Sequence, residues 1–166
     1  MKAAGIVRRI DDLGRIVIPK EVRNNLRLRE GEPVEIFVDR QGEVILKKYS
    51  PIEQLRQFSQ EYADVLHATT KHTVIITDRD FVIAMAGTSK EYSLGDPIKA
   101  DVEDVTTNRR TTTVADNKTK VIAPIIAQGD VMGTVILISQ EGTTVNETEI
   151  KLADTAARFL AKNIEE

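Results

Sequence analysis

Seven cations crowd the start of the chain: Arg8, Arg9, Arg15, Lys20, Arg23, Arg27 and Arg29. All but one are arginines, and a guanidinium is a planar fork that meets two acceptors at once, on phosphate or on the O6 and N7 of guanine. The chemistry such a set offers is recognition of a polyanion rather than bond making. With Lys2 included, residues 1–29 hold 8 basic and 3 acidic side chains, net +5. Residues 1–50 hold 11 and 8, net +3, against 12 and 18, net −6, in residues 51–166, and the two sum to the formal −3 of the chain. A basic head on an acidic body points to a negatively charged partner for the head alone.

Other chemistries find little to work with. The chain has no cysteine, which removes disulfides, thiolate metal sites and cysteine nucleophiles together. His67 and His72 flank Lys71 with no carboxylate or cysteine at ligand spacing, and read as ordinary surface or helix-end residues. No phosphate-binding loop, dinucleotide fingerprint or metal-ligand spacing occurs, and no Ser-His-Asp set or carboxylate pair stands out, so neither an enzyme nor a cofactor is expected. Arg109 and Arg110, with the threonines of residues 108–120, offer donors to an anion, although a polar surface loop is the plainer reading of that stretch. The apolar run after Met1-Lys2 is too short for a signal peptide, and no later run approaches the roughly 18 apolar residues of a membrane span. A soluble, cytoplasmic protein is expected.

The elements that must position the cations follow from local pattern. Residues 5–10 (GIVRRI) and 15–19 (RIVIP) read as short β-branched strands around the turn DDLG, where Gly14 accepts a positive φ and the aspartates bond to nearby backbone. Pro19 suits the first turn of a short helix over PKEVRNNLRL, with Gly31 as its stop. Residues 33–39 and 42–49 then alternate as a hairpin, with Val34, Ile36 and Val38 on one face and Val44 and Leu46 matching them. Fifty residues of this kind bury little apolar surface, and domains so small lean on a metal, a disulfide or a partner. With no cysteine or histidine in the segment, dimerisation is the remaining remedy. A dimer duplicates the basic patch about a two-fold axis, which suits paired half-sites on a DNA duplex.

The body begins at a capping box, Ser50 with Glu53 and Pro51 at the first helical position. Leu55, Phe58, Tyr62 and Val65 form one apolar stripe on the helix that follows. Residues 72–87 read as two strands around DRD, 89–110 as short helices and loops, and 119–142 as a hairpin turning at AQGD. Asn146 and Glu149 cap a last helix whose stripe is Ile150, Ala153, Ala157, Leu160 and Ile164. The two stripes serve either the body's own core or contact with a second body, the core being the commoner use. The fold class expected is α+β, with a head over 1–50 and, over 51–166, a body of antiparallel sheet flanked by two long helices.

The blocks G-I-V-R, D-x-L-G-R-I-V-I-P and I-L-K-K-Y, in order and at these spacings over about residues 2–49, closely resemble the AbrB-like swapped-hairpin DNA-binding domains of bacterial transcription regulators. The resemblance implies that two chains interleave their hairpins into one dimeric body, and that Arg8, Arg15 and Arg23 contact DNA, with Lys2, Arg9 and Lys20 supplementing the field. Where some members carry a second arginine after the last of the three, this chain has Asn24 followed by Asn25, a departure that bears on phosphate contact and base preference. The blocks VIITDRDFVIAMAG and VIAPIIAQGDVMGTVILIS resemble GAF domains less specifically. The order of head, capped helix and GAF-like body resembles a family of sporulation regulators over essentially the whole chain. That implies both activation and repression of late, forespore-stage genes, on the nucleoid, by a tetramer joined through the long helices, which blocks or recruits RNA polymerase according to where its site lies.

The resemblance leaves the effector of the GAF-like body, if it takes one, unassigned. Swapped-hairpin heads also serve antitoxins, whose toxin-binding tails are usually short and disordered when free. The capped helices and periodic strands of residues 51–166 fit a folded domain better.

Overall fold

The computed structural model describes residues 5–49, 56–115 and 118–165. The chain divides into two units, Met1–Tyr49 and Ser50–Glu166. In the first, helix α1 (Lys20–Asn25) precedes strands β1 (Val34–Val38) and β2 (Val44–Lys48). The hairpin has the register its alternation predicts, with Ile36 opposite Leu46 and Val38 opposite Val44. Its turn is held by the Asp39 carboxylate, which accepts from the amides of Gln41 and Glu43 at 2.9 and 2.8 Å, with Gly42 at φ 83°.

Two expectations for this unit are corrected. Residues 5–10 and 15–19 form no strand, and between them run only turn bonds such as Asp11 N–H to Arg15 O at 3.0 Å. A β-branched run becomes a strand only when a neighbour satisfies its backbone, and within one chain no described segment lies alongside. The helix is also shorter than PKEVRNNLRL: it stops at Leu26, not Gly31. Arg27 takes a left-handed φ of 51°, its N–H bonding Asn24 O while the N–H of Leu28 bonds Arg23 O at 2.8 Å. That pair of bonds is a Schellman stop, here made without glycine at its left-handed position.

The second unit is a five-stranded antiparallel sheet in the order β4-β3-β7-β6-β5. Its strands are β3 (Thr73–Thr77), β4 (Val82–Ala86), β5 (Thr112–Ala115), β6 (Thr119–Ala127) and β7 (Asp130–Ile138). Helix α2 (Arg56–Thr70) lies on β3 and β4, α4 (Glu147–Glu165) on β6 and β7, and the shorter α3 (Ala100–Asn108) also meets β6 and β7. The pleat sends alternate residues to two cores. Val74, Ile76, Val121, Ala123, Val135 and Leu137 join Leu160 and the alanines of α4, whereas Ile75, Ile122 and Ile136 meet Tyr92, Val102 and Val105. Each of these branched side chains, fully buried, contributes roughly 1.5–3 kcal/mol.

Strand β5 is a correction: residues 112–115 were expected within a polar loop, yet this mostly exposed, threonine-rich segment pairs with β6 as the sheet edge. β-branched threonine suits a half-open edge despite its polarity. Helix α4 starts as its capping box predicts. Asn146 Oδ1 accepts from the Thr148 amide at 2.8 Å, and Glu149 Oε2 accepts from the Asn146 amide at 2.7 Å. The corresponding box at Ser50 and Glu53, and Leu55, lie outside the described residues.

Gly133 in β7 is fixed by sterics alone. A Cβ there would sit 1.9 Å from the carbonyl oxygen of Thr77, a backbone atom of the neighbouring central strand. Gly133→Ala is therefore expected to destabilise by roughly 3 kcal/mol, the upper range for overpacking. A lowered Tm in calorimetry checks this, and an unchanged Tm would mean that β3 and β7 can separate at little cost.

Candidate nucleic-acid interface

The described cations expected to face DNA are exposed: Arg8 and Arg9 on the irregular segment before the turn, Arg15 just after it, and Lys20 and Arg23 on α1. Asn24 and Asn25 are exposed on the last turn of α1, and Lys2 lies outside the described residues. The turn presets one cation. Asp11 Oδ1 accepts from the amides of Leu13 at 3.0 Å and Arg15 at 2.7 Å, while Oδ2 takes the Arg15 Nε at 2.8 Å. Bonding from the Arg15 backbone, then from its side chain, holds the Asp11 carboxyl below the ordinary carboxylate value. Arginine and turn are thereby one rigid unit, with the terminal amino groups of the guanidinium left for another acceptor.

No described residue of 5–49 is buried. Val7 is 90 % exposed, Val17 72 % and Val38 71 %, on a unit whose elements are otherwise well bonded. Apolar side chains left open on this scale mark an interaction surface.

The body places the other predicted residues differently. Of the α2 stripe, Phe58 and Val65 are exposed at 59 and 64 %, and Tyr62 is half-buried, stacked on Phe159 with ring centroids 5.1 Å apart. In contrast, Ala157 and Leu160, assigned to a stripe open to either use, are buried in the core of their own chain, with Ile164 packed against it. The helix they occupy rotates its small residues onto the sheet and Phe159 outward, and the residue spacing alone did not single out Phe159. His72 is corrected too: it is buried rather than on the surface, with Nε2 3.4 Å from Glu149 and the His67 Nδ1 2.7 Å from its carbonyl.

On the other face of the sheet, Lys120 of β6 reaches Asp101 at 2.7 Å and Glu91 at 2.8 Å, both ahead of it in the chain. Burial disfavours the ammonium, but the bonds from Asp101 and Glu91 outweigh it and hold Lys120 above its ordinary value. Desolvation pushes the neighbouring Tyr92 hydroxyl up to about 12. These groups tie α3 and the loop before it to the sheet. Their charges are matched internally, so they form a structural clasp rather than a reactive centre. Among the described residues no group of three histidine, cysteine or carboxylate side chains could hold a metal ion, and no helix is long and apolar enough to cross a membrane.

A cationic head without a buried core is thus followed in the chain by a five-stranded sheet with helices on both faces. Residues 54–165 match the model described as Stage V sporulation protein T C-terminal, transcription factor, and residues 7–54 match Antidote-toxin recognition MazE, bacterial antitoxin. The chain is 48 % identical to Stage V sporulation protein T of Bacillus subtilis over 179 aligned positions, covering 100 % of both chains. Its head is 53 % identical over 51 residues to the transition state regulatory protein AbrB of the same organism, covering 31 % of this chain and 52 % of that one. The GAF domain of an Acinetobacter phosphoenolpyruvate-protein phosphotransferase superimposes with a TM-score of 0.56 at 14 % identity, covering 66 % of this chain and 81 % of that one, and shows the shared fold. The chain belongs to the stage V sporulation protein T family, a family of transcription factors and not of enzymes.

The Asp11 carboxyl sets a pH limit on the turn. Its value in the folded head lies below 3.8, so the bonded turn is lost as pH falls through that lowered value. The Arg15 Nε–H resonance should follow a single titration whose midpoint lies below 3.8. A midpoint at or above 3.8, or no movement at all, would mean that Asp11 does not hold Arg15 in solution.

Proposed function

We propose that the head binds double-stranded DNA as a homodimer, setting Arg8, Arg15 and Arg23 of both chains against the major groove and its phosphates. Lys2, Arg9 and Lys20 supplement the field, and Asn24 tunes the contact. The observation that carries this reading is the coincidence, on one coreless unit, of open apolar side chains that ask for a second chain and open cations that ask for a polyanion. Interleaving two heads would give residues 5–10 and 15–19 the strand partners they lack within one chain. The head would span residues 1–50 and the body 51–166.

The body, net −6, is repelled by phosphate and joins head dimers into a tetramer through the outer faces of α2 and α4, where Phe58, Tyr62, Val65 and Phe159 stand open or half-open. The assembly acts in the cytoplasm on the nucleoid, at late, forespore-stage sporulation genes, activating or repressing according to whether its site blocks or recruits RNA polymerase. An effector bound by the body would act by favouring one arrangement of the two heads over another, which requires different affinity for the two.

Binding of the full chain to mixed-sequence duplex across a salt series tests the head. Affinity should fall with a log–log slope near −0.9 for each phosphate neutralised, and Arg15→Ala or Arg23→Ala should weaken binding and reduce the slope by about 1 per lost contact. A flat salt response, or variants that bind like the parent, would overturn the DNA reading. For the tetramer, Phe58→Asp combined with Val65→Asp should leave the melting curve within about 1 kcal/mol of the parent, both sites being solvent-facing. Light scattering should then report dimers, and a retained tetramer would move the contact elsewhere.

A further inference from the structure

We infer that the body carries an anion-binding cleft between α4, the end of α3 and the edge of β6 beyond its pairing with β5, built for a small organic anion with an apolar tail. The cleft encloses about 530 Å³, within the range of small-molecule sites. Three cations line it: Arg109 from the end of α3, and Arg158 and Lys162 from α4. Pro124, Ile126 and Ala161 give it an apolar wall, and Ile126 is left 38 % exposed there.

The cations are arranged for a ligand rather than for each other. Arg158 and Lys162 are four residues apart on one helix, an arrangement of like charges that is unfavourable by itself. Among the described residues no ion pair engages either of them. Asp154, the one carboxylate in the lining, accepts a hydrogen bond from the Thr111 hydroxyl and offsets one cation, and Asp130 beside Arg109 offsets a second, so the positive excess rests on α4. Arg109 is held in place by the opposite edge. It takes a left-handed φ of 55°, and its Nη1 donates to the Gly129 carbonyl at 2.8 Å, with Nη2 3.7 Å from Asp130.

A net-positive cleft in a body of net −6 stands out from its own background field, and it selects for an anion that reaches past that field at short range. A carboxylate or phosphate head suits the paired guanidinium groups and ammonium, and the arginine forks favour bidentate contact. The apolar wall takes a short hydrocarbon tail. Such a ligand would bridge the α3–β5 junction and the β6–β7 turn to α4, the helix whose outer face bears Phe159. Use of the cleft as a sensor rests on the effector reading above; its capacity to bind does not.

Ligand-observed saturation-transfer NMR on the full chain tests the cleft with hexanoate as the probe and hexanamide as its uncharged counterpart. Saturation transfer to hexanoate, none to hexanamide, and competition by inorganic phosphate are expected. Arg158→Gln with Lys162→Gln should weaken hexanoate binding at least tenfold with an unchanged circular dichroism spectrum, and Lys151→Gln on the same helix outside the cleft should not. Should the double variant fold poorly, Ile126→Asp places a carboxylate in the wall and should abolish the signal. Equal transfer to hexanamide, or no loss in either variant, would overturn the proposal. So would a double variant that alters the oligomeric state while hexanoate binds as before, since the cations would then serve an acidic side chain of a second copy. Hexanoate binding with no change in DNA affinity would leave the cleft standing and remove the effector reading.

Discussion

Residues 5–49 cannot hide their apolar side chains within one chain, and much of what is distinctive about the molecule depends on that. Ile6, Val7, Ile10, Ile16 and Val17 lie on segments that have the composition of strands but no neighbour to pair with. Leaving a valine fully open rather than buried forgoes roughly 1.5–3 kcal/mol, and several such residues exceed what a fifty-residue unit has to spare. A second chain would resolve the backbone and the side-chain deficits together, and on the dimer proposed above folding, dimerisation and presentation of the cations would be one event. The cations add self-repulsion to that assembly, and the Asp11 to Arg15 clasp relieves part of it while fixing the direction of a guanidinium.

The body solves the opposite problem. Its central strands are buried on both faces, so a closed core exists within one chain, and the cost moves to the places where backbone and charge are pressed together. Gly133 lets β7 pass against Thr77 where no side chain fits. Lys120, half-buried at the sheet's face, is met there by Asp101 and Glu91. A lone ammonium in that position would be expensive, and a fully matched one fixes α3 against the sheet with a definite register. The result is a platform stable enough to carry exposed aromatic residues on its helices without rearranging to cover them.

What could be read before the structure was known divides along the same line. Patterns whose cause is local were legible: the Asn146 and Glu149 cap, the cross-strand match of Ile36 with Leu46, the turn at Asp11, and the small residues of α4 that face the sheet. Patterns whose cause lies across the chain were not. Strand β5 has only threonine's propensity to announce it, and its pairing is decided by β6. The strand-like segments of the head were overread because β-branching signals a strand without saying whose strand it will pair with. His72 looked like a surface residue in a polar stretch, yet β3 carries it into the interior beside Glu149. Arg158 and Lys162 attract no notice in a sequence, since a cation every turn is ordinary on a helix; only the cleft beneath them and the arrival of Arg109 from α3 give the pair a common target.

Charge explains why these two solutions share one chain. At physiological ionic strength a surface charge is felt over about 8 Å, so the attraction of the head and the repulsion of the body act separately on whatever approaches each of them. A duplex meeting the head gains from every guanidinium it contacts; the same duplex meeting the body would lose. Within the body the cleft between α3, β6 and α4 is net-positive, with a volume on the scale of a small molecule. A chain that repels nucleic acid over its body while keeping a confined cationic cleft there can admit a small anion without competition from the polymer its head is built to hold.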